Sequence, residues 1–196
     1  MSPPPARNRR ADARRSRSAI LDAAIRLLNS QPEVSVEAIA TAAGVTRQTV
    51  YAHFPSRDQL LAAALDQVTE ETVAAMDAVE LDSGPAADAL LRLLDASGRL
   101  AGRYSVLLQH TSSLPVSKED DHERHAPVAD RLRKVIQRGQ ANGEFDDRLA
   151  PGWLVAVTIS LAHTAGEEVD ARRMSETEAA EALRTSLFRV FGATPD

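Results

Sequence analysis

The chain has no cysteine. That excludes disulfides, thiolate metal sites, cysteine nucleophiles and thiol redox switching together, and it suits a reducing compartment. Aromatic side chains are scarce, at 4% of the 196 residues, and β-branched residues never fall into alternating runs. Both scarcities argue against sheet. No apolar run heads the chain. Its first 18 residues instead carry Arg7, Arg9, Arg10, Arg14, Arg15 and Arg17, a pattern no secretory signal shows, so a cytoplasmic location is expected. No Ser/His/Asp order, phosphate-cradling loop or activated carboxylate pair has local support. The sequence is therefore read as a non-enzyme without cofactor or catalytic metal.

What is present is alanine and leucine, with 43% hydrophobic and 26% charged residues, the composition of a folded all-α protein. The net charge of −5 conceals an asymmetry. Residues 1–57 sum to +5 and residues 58–196 to −10. A basic head on an acidic body suggests that the head meets a polyanion and the body has another task.

Three prolines and then arginines make residues 1–15 read as a disordered basic arm, either a solvated tail or a segment laid along phosphates. A first helix follows, with Ile20, Leu21, Ala24, Leu27 and Leu28 on one face and Pro32 as its stop. Ser35 caps a short second helix between Val34 and Ile39, and Gly44 closes it. Thr46 begins a third of about two turns, which Pro55 ends. Ser56 and Gln59 then form the capping box of a long fourth helix that reads to about Glu80. A short helix, an Ala-Gly-Val-Thr turn and a second short helix make the helix-turn-helix pattern.

The segment Ser18 to Leu65, above all Ile39-Ala40-Thr41-Ala42-Ala43-Gly44-Val45-Thr46 followed by Tyr51-Ala52-His53-Phe54 and the capped fourth helix, resembles the DNA-binding domain of the TetR family of bacterial repressors. The resemblance implies a helix-turn-helix domain over 16–62, and a ligand-binding and dimerisation domain over 63–196. On the third helix Val50 and Phe54 share the inward face, leaving Arg47, Gln48 and Tyr51 opposite, with Thr49 and His53 flanking. Arg47 offers a fork for guanine O6 and N7, and Gln48 can bracket adenine. The resemblance gives Tyr51 and His53 contacts to phosphate and sugar. Arg57, at the start of the fourth helix, suits a phosphate, and Ser35, Thr46 and Thr41 can serve similarly. The expected partners are a double-stranded DNA operator, a small-molecule effector and a second copy of the chain, joined through the last two long helices. A ligand-independent regulator or activator of the same fold, and a helical small-molecule-binding protein, are the alternatives.

The body is less informative. Residues 86–110 read as one helix, Lys118 to His125 as an exposed loop after Leu114-Pro115, and Val128 to Asn142 as an amphipathic helix. Leu149 to Gly166 carries no formal charge, but its Pro, Gly, Ser, Thr and His residues favour a buried helix over a membrane span, so no membrane is expected. Leu183, Leu187, Phe188 and Phe191 give the final helix an apolar edge suited to a dimer. Tyr104, His110, Trp153 and His163, each joining an apolar body to a polar tip, are the candidate ligand contacts. His122 and His125 among acids match no metal-ligand frame.

Overall fold

A computed structural model describes residues 6–112 and 118–192, and among these residues every regular element is a helix. In chain order they are α1 (Ala6–Leu28), α2 (Val36–Ala42), α3 (Arg47–His53), α4 (Arg57–Asp77), α5 (Ala86–Arg103), α6 (Ser105–Ser112), α7 (Lys118–Ala141), α8 (Pro151–Asp170) and α9 (Glu176–Phe191). The chain divides into two compact units. The first runs to Val68 and takes back α6; the second holds the rest of α4, α5 and α7 to α9. The boundary is expected at residue 62; the first compact unit runs to Val68 and also includes α6.

In the first unit α1, α2 and α3 close on a core of Ile20, Ala24, Leu28, Ile39, Val50 and Phe54, each at most 3% exposed, with Leu60 and Ala64 of α4 against it. Burying four such aliphatic side chains contributes about 1.5–3 kcal/mol each. The Leu107 amide of α6 donates to the Asn29 side-chain oxygen at 3.2 Å, and Tyr104 and Leu107 are buried. Among the described residues, 6–15 lie within α1 rather than in an irregular arm. Beyond the prolines this stretch is arginine and alanine, both strong helix formers, and Asp12 pairs with Arg15 one turn on.

The second unit packs Met76, Leu90, Leu93, Leu132, Val135, Ile136, Phe145, Leu154, Leu187 and Phe191 into one core. Its helix ends are well tied. The Glu144 carboxylate accepts from the Ala86 and Ala87 amides at the start of α5, and Arg131 forks onto Asp77 at 2.9 and 2.7 Å. Ser175 and Glu178 form a reciprocal capping box on α9. Asp146, held down to about 2 by hydrogen bonds from Arg148, also donates its amide to the Phe191 carbonyl, closing the end of α9.

Three expectations for the body are corrected. The helix read over 86–110 breaks at Tyr104, whose side chain is buried in the head. The loop read from Lys118 is the start of α7. Pro127 sits inside it at the loss of one ladder bond. Leu114-Pro115 and the His122 side chain lie outside the described residues. Finally α4 stops at Asp77, not Glu80.

Candidate nucleic-acid interface

The interface is built on the backbone of a tight turn. The carbonyls at the end of α2 accept from beyond it, Ile39 from Ala43 at 2.9 Å and Ala40 from Val45 at 3.0 Å. Gly44 adopts φ +67°, a left-handed conformation that costs an L-residue about 1–2 kcal/mol. Thr46 then caps α3 by accepting from the Thr49 amide at 3.1 Å, and its hydroxyl lies 2.8 Å from the Thr49 hydroxyl. Ser35 caps α2 in the same way, accepting from Ala38 at 3.2 Å. A capping hydroxyl keeps its own proton to donate, so Ser35 and Thr46, both exposed, can still reach a phosphate oxygen.

Val50 at 1% and Phe54 at 3% exposure fix the rotation of α3 about its axis. That rotation turns Thr46, Arg47, Gln48 and Tyr51 to solvent, with Thr49 and His53 half-buried at its edges. The Arg47 guanidinium lies over the Tyr51 ring, 5.4 Å from its centroid, and reaches the phenol oxygen at 3.5 Å. This contact raises the already high pKa of Arg47, so the face carries a fixed positive charge. The structure thus brings Thr46, Arg47, Gln48, Thr49, Tyr51 and His53 onto one face of α3 or its rim, while Ser35 and Thr41 lie at the two ends of α2, Thr41 donating its hydroxyl to the Glu37 carbonyl at 3.0 Å.

Arg57 is also engaged within the chain. Its two terminal nitrogens donate to backbone carbonyls, to Pro32 at 2.7 Å and to Val34, so its guanidinium is engaged within the protein. Conversely, Arg17 was legible in the sequence only as part of the N-terminal charge. It lies over the Phe54 ring at 5.1 Å, which places a cation beside the start of the reading helix's exit turn.

The candidate ligand contacts are divided between the two units. Tyr104 is buried and His110 half-buried in the first unit, whereas Trp153 and His163 are exposed in the second. His163 meets the half-buried His125 edge-on, with ring centroids 5.6 Å apart. An open depression of about 500 Å³ in the second unit is lined by Asp77, Val79, Glu80, Leu81, Asp82 and Ser83, none of them a candidate. No group of three or more His, Asp or Glu side chains among the described residues is placed to hold a metal ion. No described helix is long and apolar enough to cross a membrane.

The last helix also departs from expectation. Leu187 and Phe191 are at most 1% exposed and Phe188 is 7% exposed, all turned into the chain's own body rather than outward. The outward face of α8 carries Trp153, Ala156, Ser160 and His163 instead, Trp153 being 61% exposed.

Comparison with known proteins agrees with this geometry. The family model for bacterial regulatory proteins of the tetR family matches residues 20–64. The HTH-type transcriptional repressor LfrR of Mycolicibacterium smegmatis is 30% identical over 174 residues, covering 88% of each chain. The crystal structure of LfrR in complex with proflavine superposes with a TM-score of 0.67 at 28% identity, over 92% of this chain and 99% of that one. Bacillus subtilis FadR in complex with stearoyl-CoA, at 14% identity, shares the fold with a TM-score of 0.75 over 91% and 99% of the two chains. The members of this family are DNA-binding regulators rather than enzymes. The chain belongs to the TetR family of bacterial transcriptional regulators.

Proposed function

We propose that the chain is a repressor that binds a palindromic DNA operator as a homodimer and leaves it when a small molecule binds. The observation that carries this reading is the single exposed face of α3, locked by Val50 and Phe54 and bearing Arg47, Gln48 and Tyr51 after the Thr46 cap. Arg47 reads guanine and Gln48 adenine in the major groove, while Ser35, Thr46, Thr49, Tyr51 and His53 hold phosphate and sugar. For Arg47 the stacked resting position keeps the guanidinium extended along the face, so little side-chain freedom is left to lose on docking.

The dimer forms through α8 and α9. Trp153 stands on a face otherwise lined by Ala156 and Ser160, whose small side chains let a second helix approach closely. Release follows from differential affinity alone: the effector must bind more tightly to the conformation that fits DNA less well. LfrR is seen with proflavine, a planar aromatic molecule, and a small apolar or amphipathic effector of that kind is proposed for this chain.

Electrophoretic mobility of a duplex enriched by the protein, with and without proflavine, tests both halves. A complex of two chains per duplex that dissociates on adding the ligand is expected. A complex of one chain per duplex contradicts the dimeric reading, and a complex that survives every planar aromatic ligand the free protein takes up contradicts release.

A further inference from the structure

We infer that Arg57 is a positioning residue for DNA binding, a clasp that holds the start of α2 in register with the end of α3. The inference rests on the DNA-binding reading above, whereas the clasp is a pair of hydrogen bonds within the chain. Arg57 is the first residue of α4, three positions after Phe54 closes α3, and Ser56 before it caps α4 by accepting from Gln59 at 3.1 Å. Its guanidinium spans back 25 residues to the Pro32 carbonyl and 23 to that of Val34. Both carbonyls belong to the turn between α1 and α2 and lie outside either helix's ladder.

The Val34 carbonyl shares a rigid peptide plane with the nitrogen and Cα of Ser35. Fixing that oxygen fixes the entry of Ser35, whose hydroxyl caps α2 and whose side chain is exposed. The Arg57 stem meanwhile lines a void of only about 10 Å³ with Leu28, Ile39, Leu60 and Leu61, so the side chain is seated against the core rather than extended into solvent. Donors on a planar fork suit two carbonyls two residues apart, and a hydrogen bond from a charged donor is shorter and stronger than a neutral one. A lysine ammonium, a single point of charge, lacks that fork. The two hydrogen bonds occupy one N–H on each terminal nitrogen and hold the fork toward the turn between α1 and α2, so the clasp assigns Arg57 to positioning, and the salt dependence of binding separates that role from a phosphate contact made by its remaining donors.

The test uses the full-length protein, the duplex that the wild type recovers from a random-sequence pool, and a salt series. Arg57→Gln should weaken binding about tenfold, the scale of losing hydrogen bonds from a charged donor. The slope of log affinity against log salt should stay unchanged. Arg57→Lys should lose nearly as much, and in a Ser35→Ala background either substitution should cost much less, since both act through the same cap. In the free protein the Ala38 amide, which Ser35 receives, should exchange faster in both variants.

A slope flattened by about 2, one phosphate for each of two subunits, would make Arg57 a phosphate contact and overturn the clasp. Full rescue by Lys, strictly additive losses with Ser35→Ala, or unchanged Ala38 exchange would each overturn it as well. Should Arg57→Gln fail to fold, Arg57→Lys carries the same comparison. If the wild type recovers no duplex, the DNA-binding reading fails separately, and Ala38 exchange still decides the clasp.

Discussion

Trp153 offers the sharpest test of the dimer. It is 61% exposed on α8, the most open large apolar side chain among the described residues. A tryptophan buries up to ~250 Å² when fully covered, so about 150 Å² remains open here. At ~25 cal/mol per Å², covering it is worth up to about 3.8 kcal/mol per chain, or about 7.5 kcal/mol across a twofold interface. Part of that is offset by ordering and imperfect desolvation. A variant Trp153→Glu combined with Ala156→Glu should therefore raise the dimer dissociation constant at least about 100-fold, which corresponds to ~2.7 kcal/mol. Neither side chain belongs to the core, and a carboxylate in the first turn of α8 suits the helix dipole, so the subunit should stay folded. The apolar edge of α9 could not serve here: charges at Leu187 or Phe191 would enter the chain's own core and unfold it. Sedimentation equilibrium from nanomolar to micromolar protein reads the constant, and circular dichroism confirms the fold. A double variant that dimerises like the wild type would refute the placement of the interface on this face of α8.

Other expectations are as direct. Arg47→Ala should cost about 1–3 kcal/mol per half-site and relax one base position, read by binding to a panel of single-base variants; equal loss on specific and random duplex would reduce Arg47 to a phosphate contact. Gly139→Ala should destabilise the second unit, because the added methyl would overlap the Phe145 ring, itself buried and edge-on to Phe191 at 4.9 Å. Overpacking of this kind costs about 1–3 kcal/mol, against a helix-propensity gain of about 1 kcal/mol; urea unfolding decides, and a stabilised variant would show that Phe145 moves aside. Deleting residues 1–15, which carry five of the chain's arginines, should flatten the salt dependence of DNA binding, and an unchanged slope would show that this segment meets no phosphate.

The head was legible because its signals are local. Ser35 and Thr46 announce caps, Gly44 the turn, and the four-residue spacing of Val50 and Phe54 the inward face of α3; each acts within one helical turn. The contacts of Arg57 within the chain were not legible because its partners lie 23 and 25 residues away, and position at a helix start says nothing of which way a long side chain turns. The body failed the same way. Periodicity shows that Leu187 and Phe191 share a face, but not whether that face meets the chain's own core or another molecule. Pro127 reads as a loop signal, yet it lies within α7, where a proline removes one ladder bond without ending the helix. Ligand contacts are the least legible, since a binding cavity is made by side chains distant in sequence.

Selection of bound duplex from a random-sequence pool tests the central claim most directly. The expected product is an inverted repeat whose half-sites lie about 34–36 Å apart, the spacing of successive major grooves on one side of the helix, and whose enrichment is lost with Arg47→Ala. Enrichment of an unsymmetrical site, or none above random duplex, would contradict a dimeric reader built on the exposed face of α3.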